Sequence, residues 1–144
     1  MRRCLVDTAV FIYADGRSHP YRKPCQELVR RVAERVLEIE ASVDLLHEYV
    51  SVQLRSGRDR GEVVERARRI GALCRLHDVE RRDIARMLDL LGRPTRLDPR
   101  DAVFAATALN RGIDAIVASD RAFDAVPGLE RIDPADTARI DELS

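Results

Sequence analysis

Two short apolar runs of this chain each end in a carboxylate. Cys4-Leu5-Val6 stops at Asp7, and Ala115-Ile116-Val117-Ala118 stops at Ser119-Asp120. A third acid, Asp101, follows Asp98-Pro99 at the head of an apolar stretch, and a fourth, Glu48, sits within the segment 43–54. Unpaired carboxylates crowded together repel, and each is pushed toward its neutral form. A hard divalent cation removes that conflict. An all-oxygen ligand set suits Mg2+ or Mn2+, with waters completing the shell. Such a centre hydrolyses phosphodiesters by binding phosphate, activating water and stabilising the departing oxygen. The ions would also let a chain without excess positive charge hold a polyanion. This chemistry requires that oxygens distant along the backbone converge within coordination reach of a common ion.

The elements that must position these acids are legible in part. Short, unalternating apolar runs separated by helical segments imply a parallel sheet covered on both faces. In such sheets ligands bind outside the carboxyl ends of the strands, where the strand order switches, so acids after the first and fourth strands would face one another there. Thr8 stands where it can cap a short helix through Tyr13. Leu28, Val32, Val36 and Ile39 recur at helical spacing, predicting a helix over 20–39. Ser42 is placed to cap a helix over 43–54. On that helix Leu45, Leu46, Tyr49, Val50 and Val52 form an apolar arc with Glu48 just past its border. Further helices are predicted over 62–73 and 81–91, with weak strands at 76–79 and 129–132. The clearest helix begins at Asp98-Pro99, an acceptor at the cap and a proline at the first turn, where its missing N–H costs nothing. It runs through Ala102-Val103-Phe104-Ala105-Ala106-Thr107-Ala108 to Asn110-Arg111-Gly112. Being apolar nearly all round, it should be deeply buried.

Composition narrows the function classes. The chain of 144 residues fits one domain, with 25 basic and 25 acidic residues and no net charge, so no overall basic field drives nucleic-acid or membrane binding. Arginines cluster between Leu54 and Arg69, a solvated helix face or a contact with RNA or a partner protein. Aromatics make up 4% and tryptophan is absent, which argues against an aromatic platform for single strands. Three widely spaced cysteines, Cys4, Cys25 and Cys74, form no CxxC pair and point to a reducing, cytoplasmic setting. Met1-Arg2-Arg3 before an apolar run faintly mimics a secretion signal, but Asp7 interrupts the run and Asp15-Gly16-Arg17 stands where small residues would be wanted. No run is long enough for a membrane span. His19, His47 and His77 share no ligand spacing.

Leu5-Val6-Asp7-Thr8, Glu48, the run Asp101-Ala102-Val103-Phe104-Ala105-Ala106-Thr107-Ala108 and Ser119-Asp120-Arg121-Ala122-Phe123 together resemble the PIN-domain ribonucleases, and most of all their VapC-like branch, the toxins of toxin–antitoxin pairs. The resemblance covers nearly the whole chain. It implies one PIN-like nuclease domain over 1–144, a three-layer αβα sandwich with a short central parallel sheet. It implies a Mg2+ or Mn2+ cluster held by Asp7, Glu48, Asp101 and Asp120, with Thr8, Ser119 and Asp124 at helper positions. It also implies endonucleolytic RNA cleavage, a homodimer and a cognate antitoxin. Thr8 and Ser119 are helix caps on their own spacing.

Other readings fit less well. A receiver-like phosphoacceptor needs a late lysine, and Lys23 is the only lysine. A dehalogenase-like phosphatase wants a second aspartate where Ala9 stands. No glycine-rich phosphate loop is present. The remaining alternative is a degenerate PIN-like fold that only binds a partner, for which four carboxylates have no use.

Overall fold

Residues 2–144 are described by a computed structural model; Met1 lies outside them. Five short parallel strands, β1 (Leu5–Val6), β2 (Glu40–Ser42), β3 (Arg75–His77), β4 (Ala115–Val117) and β5 (Glu130–Ile132), form one sheet in the order β3-β2-β1-β4-β5. Leu5 pairs with Glu40 on one side and Ile116 on the other. The helices are α1 (Ala9–Asp15), α2 (Arg22–Ala33), α3 (Asp44–Arg55), α4 (Arg60–Leu73), α5 (Arg81–Leu91), α6 (Pro99–Asn110) and α7 (Thr137–Asp141). A 3-10 turn spans Arg121–Ala125.

The strands are continuous apolar runs because the middle of the sheet is covered: every residue of β1 and β4 is buried. Edge strand β3 is the most exposed of the five. From β1 the chain steps outward to β2 and β3, then returns to the other side of β1 for β4 and β5. Right-handed crossovers place the helices of these two excursions on opposite faces. Helices α1 to α4 accordingly pack among themselves, and α5 packs on α6. The order reverses between β1 and β4, and Asp7 and Asp120 follow these two strands. The α/β layering is the one the apolar runs predicted. Helix α6 is buried from Ala102 to Ala108, and its alanines let it approach the sheet closely.

The helix predicted over 20–39 ends at Ala33. Arg35 takes a left-handed conformation with φ of 60°, and the N–H of Val36 donates back to the carbonyl of Arg31 at 2.9 Å, a helix-terminating pattern in which glycine is the usual residue. Val36 is 47% exposed, whereas Leu37 and Ile39 turn inward on the approach to β2. The helical spacing was thus shared between a helix and the turn and loop that lead into β2. Smaller differences follow from caps. Helix α4 starts at Arg60 because the Asp59 carboxylate accepts the Glu62 N–H at 3.0 Å. Ser42 Oγ accepts the Asp44 N–H at 3.1 Å from the end of β2. The turn at 121–125 and α7 carry too few residues for a periodicity to show.

Helices α5 and α6 are clamped by a buried ion pair. Asp83 is fully buried and accepts from both Arg111 Nη atoms at 2.8 and 3.0 Å, from Asn110 Nδ2 at 2.9 Å and from the Glu80 N–H at 2.8 Å. Burial alone would raise its pKa, but these donors hold the carboxyl down to about 2. Removing one partner of a buried pair strands the other charge, so Arg111→Ala is expected to cost about 3 kcal/mol or more. Urea denaturation checks it, and a loss below ~1 kcal/mol would remove the clamp from the account of α6 placement. Cys4, Cys25 and Cys74 are buried and unpaired. Burial pushes each thiol up to about 12, so they pack as small apolar groups. Among the described residues no helix is long and apolar enough to cross a membrane.

Candidate active site

At the carboxyl edge of β1 and β4 a cleft of about 600 Å³ is lined by Asp7, Glu48, Asp98, Asp101, Ser119 and Asp120, with Ala9, Tyr13, Tyr21 and Arg121 completing its walls. Its four sequence-predicted acids come from four different elements and are graded in exposure. Asp7 is buried, Glu48 and Asp101 are half-buried, and Asp120 is exposed.

Asp7 is fixed by the sheet. Its N–H donates to the Val117 carbonyl at 3.0 Å, extending the β1–β4 register by one residue. Its Oδ1 accepts the Thr8 N–H at 2.9 Å. Burial first, then the charges of Asp101, Glu48 and Asp120, push its pKa up to about 8. Asp120 caps the 3-10 turn, its Oδ1 accepting the Ala122 N–H at 2.9 Å. Asp101 is held through its backbone, since Asp98 Oδ1 accepts its N–H at 2.8 Å. Its own carboxylate accepts no hydrogen bond and meets no cation within ion-pair distance among the described residues. Burial and then the neighbouring charges of Asp98, Asp120 and Glu48 raise Asp101 to about 7.

Glu48 is the one acid of the four with a counter-charge, its Oε2 standing 3.1 Å from Arg100 Nε. Burial raises its pKa, against the pull of Arg100. Neither Glu48 Oε2 nor the fully buried Thr8 Oγ1 completes a well-aligned hydrogen bond, although Thr8 lies near enough to favour the ionised glutamate.

The helper residues separate. Ser119 lines the cleft, but the cap of the following turn is Asp120, not Ser119. Thr8 occupies the cap position of α1 without a side-chain capping bond; it lies behind Asp7 rather than in the wall. Asp124 is outside the cleft. Its carboxylate pairs with Arg131 Nε at 2.9 Å, because the 3-10 turn carries it back toward β5. His47 is exposed beside Asp44, and His77 Nε2 sits 2.7 Å from buried Glu40 on the sheet.

Two features of the cleft were not read from the sequence. Asp98 is a wall residue as well as a cap; its position one turn before Asp101 was the available signal. Tyr13, His19 and Tyr21 form a group of stacked rings, with centroids 4.5, 5.3 and 5.9 Å apart. The low aromatic content had argued against such a platform. Composition counts rings, whereas the fold places two of the three tyrosines at one rim.

The donor set fits a divalent cation. It is all oxygen, the acids are half-buried or deeper except Asp120, and Asp101 has no other partner. The expected convergence is nevertheless incomplete. Among the described residues no group of three or more His, Cys, Asp or Glu side chains stands close enough to hold one ion.

Comparison with known proteins agrees with this fold. The PIN domain family profile matches residues 4–129. The chain is 33% identical over 121 residues to the ribonuclease VapC7 of Mycobacterium tuberculosis, covering 83% of each chain. It also resembles the solved structure of a toxin-antitoxin complex from Klebsiella pneumoniae, at TM-score 0.65 and 17% identity over 91% of this chain and 97% of that one. The structure of VapC20 from Mycobacterium tuberculosis, described as a sarcin-ricin loop cleaving toxin, aligns at TM-score 0.69 and 19% identity over 85% and 93%. The chain belongs to the PIN-domain family, in its VapC ribonuclease branch.

Proposed function

We propose that this protein is a metal-dependent endoribonuclease and the toxin of a toxin–antitoxin pair. The observation that carries the reading is the cleft at the strand-order switch, where Asp7, Asp101 and Asp120 present carboxylates with oxygens left free of protein partners. Asp7, Asp101, Asp120 and Glu48 would hold Mg2+ or Mn2+; Thr8 and Ser119 would support them. When bound, such an ion supplies positive charge for the phosphate oxygens and lowers the pKa of a water. The chain's own contribution is placement. The β1–β4 register sets Asp7, the α6 cap sets Asp101, and the turn after β4 sets Asp120. Arg100 pairs with Glu48, the fourth acid, at 3.1 Å.

An antitoxin segment that inserts a basic side chain would answer the same negative charge, and similarity to a toxin–antitoxin complex supports such a partner. A homodimer is in keeping with Ile84 and Leu88, one turn apart on α5 and 39% and 59% exposed. The unpaired thiols suit the cytoplasm. The expected result with purified protein is RNA cleavage in Mg2+ or Mn2+, lost in EDTA and restored by excess Mn2+. Cleavage that persists in EDTA overturns the metal assignment. A protein that binds its partner but cuts no RNA in either metal is a binding module instead.

A further inference from the structure

We infer that Tyr13, His19 and Tyr21 form a base-stacking subsite that receives an unpaired nucleobase of single-stranded RNA beside the acidic cleft. The inference rests on the nuclease reading of that cleft and specifies how the substrate is held there.

Tyr13 lies on the last turn of α1, His19 in the loop that follows, and Tyr21 at the cap position of α2. Their planes are within 18–27° of one another. The three distances make a triangle rather than a column, so the rings overlap with offset, as aromatic pairs prefer. The group is anchored. The Tyr21 hydroxyl donates to Asp133 Oδ2 at 2.7 Å, and the Tyr21 N–H donates to His19 Nδ1 at 3.1 Å. Asp133 is in turn fixed by the Ala135 N–H at 2.8 Å.

A purely structural role would bury these rings as Phe11, Phe104 and Phe123 are buried. Instead His19 is exposed, Tyr13 and Tyr21 are half-buried, and both tyrosines form cleft wall. The electrostatics call for such a surface. The chain has no net charge, and the cleft is lined by five acids and Arg121, so phosphate attraction there would rest on bound cations, and a base contact would add affinity that the chain's own charge does not supply. A stacked base does not depend on charge and is worth about 5- to 150-fold in affinity. Single-stranded RNA presents bases that are free to splay onto aromatic faces; a duplex does not.

The test uses the protein's own fluorescence. With no tryptophan and three tyrosines, emission comes from Tyr13, Tyr21 and the buried Tyr49. Binding is read in an Asp101→Asn background with Mg2+, so that the strand stays intact. A short oligoadenylate is expected to quench the emission, while an abasic ribose–phosphate strand of equal length is not. Tyr13→Leu should weaken oligoadenylate binding by about 10-fold or more, and Tyr13→Phe should restore it to within about 2-fold. His19→Ala, an exposed position, should weaken it by a smaller factor and serves if Tyr13→Leu melts early. In the cleaving protein, KM should rise in Tyr13→Leu with kcat little changed. The inference is overturned if the abasic strand binds as tightly as oligoadenylate, or if both ring-removing variants bind like the parent. Because quenching requires no cleavage, failure of the nuclease reading leaves this result legible, and normal cleavage with no quenching removes only the stacking subsite.

Discussion

Asp7→Asn is expected to lower RNA cleavage by about 10³-fold or more, the equivalent of ~4 kcal/mol of lost transition-state stabilisation, while the protein stays folded. The substitution is nearly isosteric. An asparagine Oδ1 still accepts the Thr8 N–H, so what disappears is the charge and one ligand oxygen. Asp120→Asn likewise keeps its capping bond to Ala122, and Asp101→Asn loses no hydrogen bond among the described residues, because its carboxylate makes none there. All three are therefore clean tests of charge rather than of fold. Glu48→Gln is expected to cost less, since Arg100 already offsets part of its charge. Asp124→Asn, outside the cleft and paired with Arg131, should change the rate by no more than about 2-fold, as exposed ion pairs contribute little. Single-turnover rates beside melting temperatures give the answer. Parent-like cleavage by both Asp7→Asn and Asp120→Asn would end the acidic-site mechanism.

The same acids are expected to make the metal-free fold less stable as pH rises. Burial first, then the neighbouring carboxylates, pushes Asp7 up to about 8 and Asp101 to about 7, against about 3.9 for an aspartate in an unfolded chain. Between those values the folded state retains protons that the unfolded state has released. Stability is then highest at low pH within the window and falls as pH approaches 8. Asp83, held at about 2, acts in the opposite sense. Its contribution is present above about 3.9 and is lost only in stronger acid, so it does not mask the trend. Each tenfold change in acidity is worth about 1.4 kcal/mol, and a loss of about 3 kcal/mol lowers Tm by roughly 6–12 °C in a chain of this length. In EDTA, Tm should therefore drop by several degrees between pH 5 and pH 8, and Asp7→Asn should flatten that slope and be the more stable protein at pH 8. Mg2+ or Mn2+ should restore Tm at pH 8 and do little at pH 5, because ligation requires the deprotonated acids. Identical flat profiles for parent and Asp7→Asn would show that the cleft carboxylates are not in conflict.

The residues by themselves determined the alternation of apolar runs and helices, the acids at the ends of β1 and β4, and helix α6 with its Asp98-Pro99 start. Each is a local signal, a run, a period or a cap within a few residues, and local backbone chemistry obeys it. Tertiary structure decided the rest. Whether the helical period continued past Ala33 depended on a left-handed Arg35 and on where β2 had to enter the sheet. Asp124 and Ser119 both stand within four residues of Asp120, yet the turn after β4 sends Asp124 to Arg131 and leaves Ser119 in the wall. The aromatic rim required Tyr21 to reach Asp133, far along the chain in the turn after β5. Side chains distant in sequence meet only once the sheet order is set, because the register of β1 against β4 and the packing of α1 on α2 fix their distances, and no single segment contains that information.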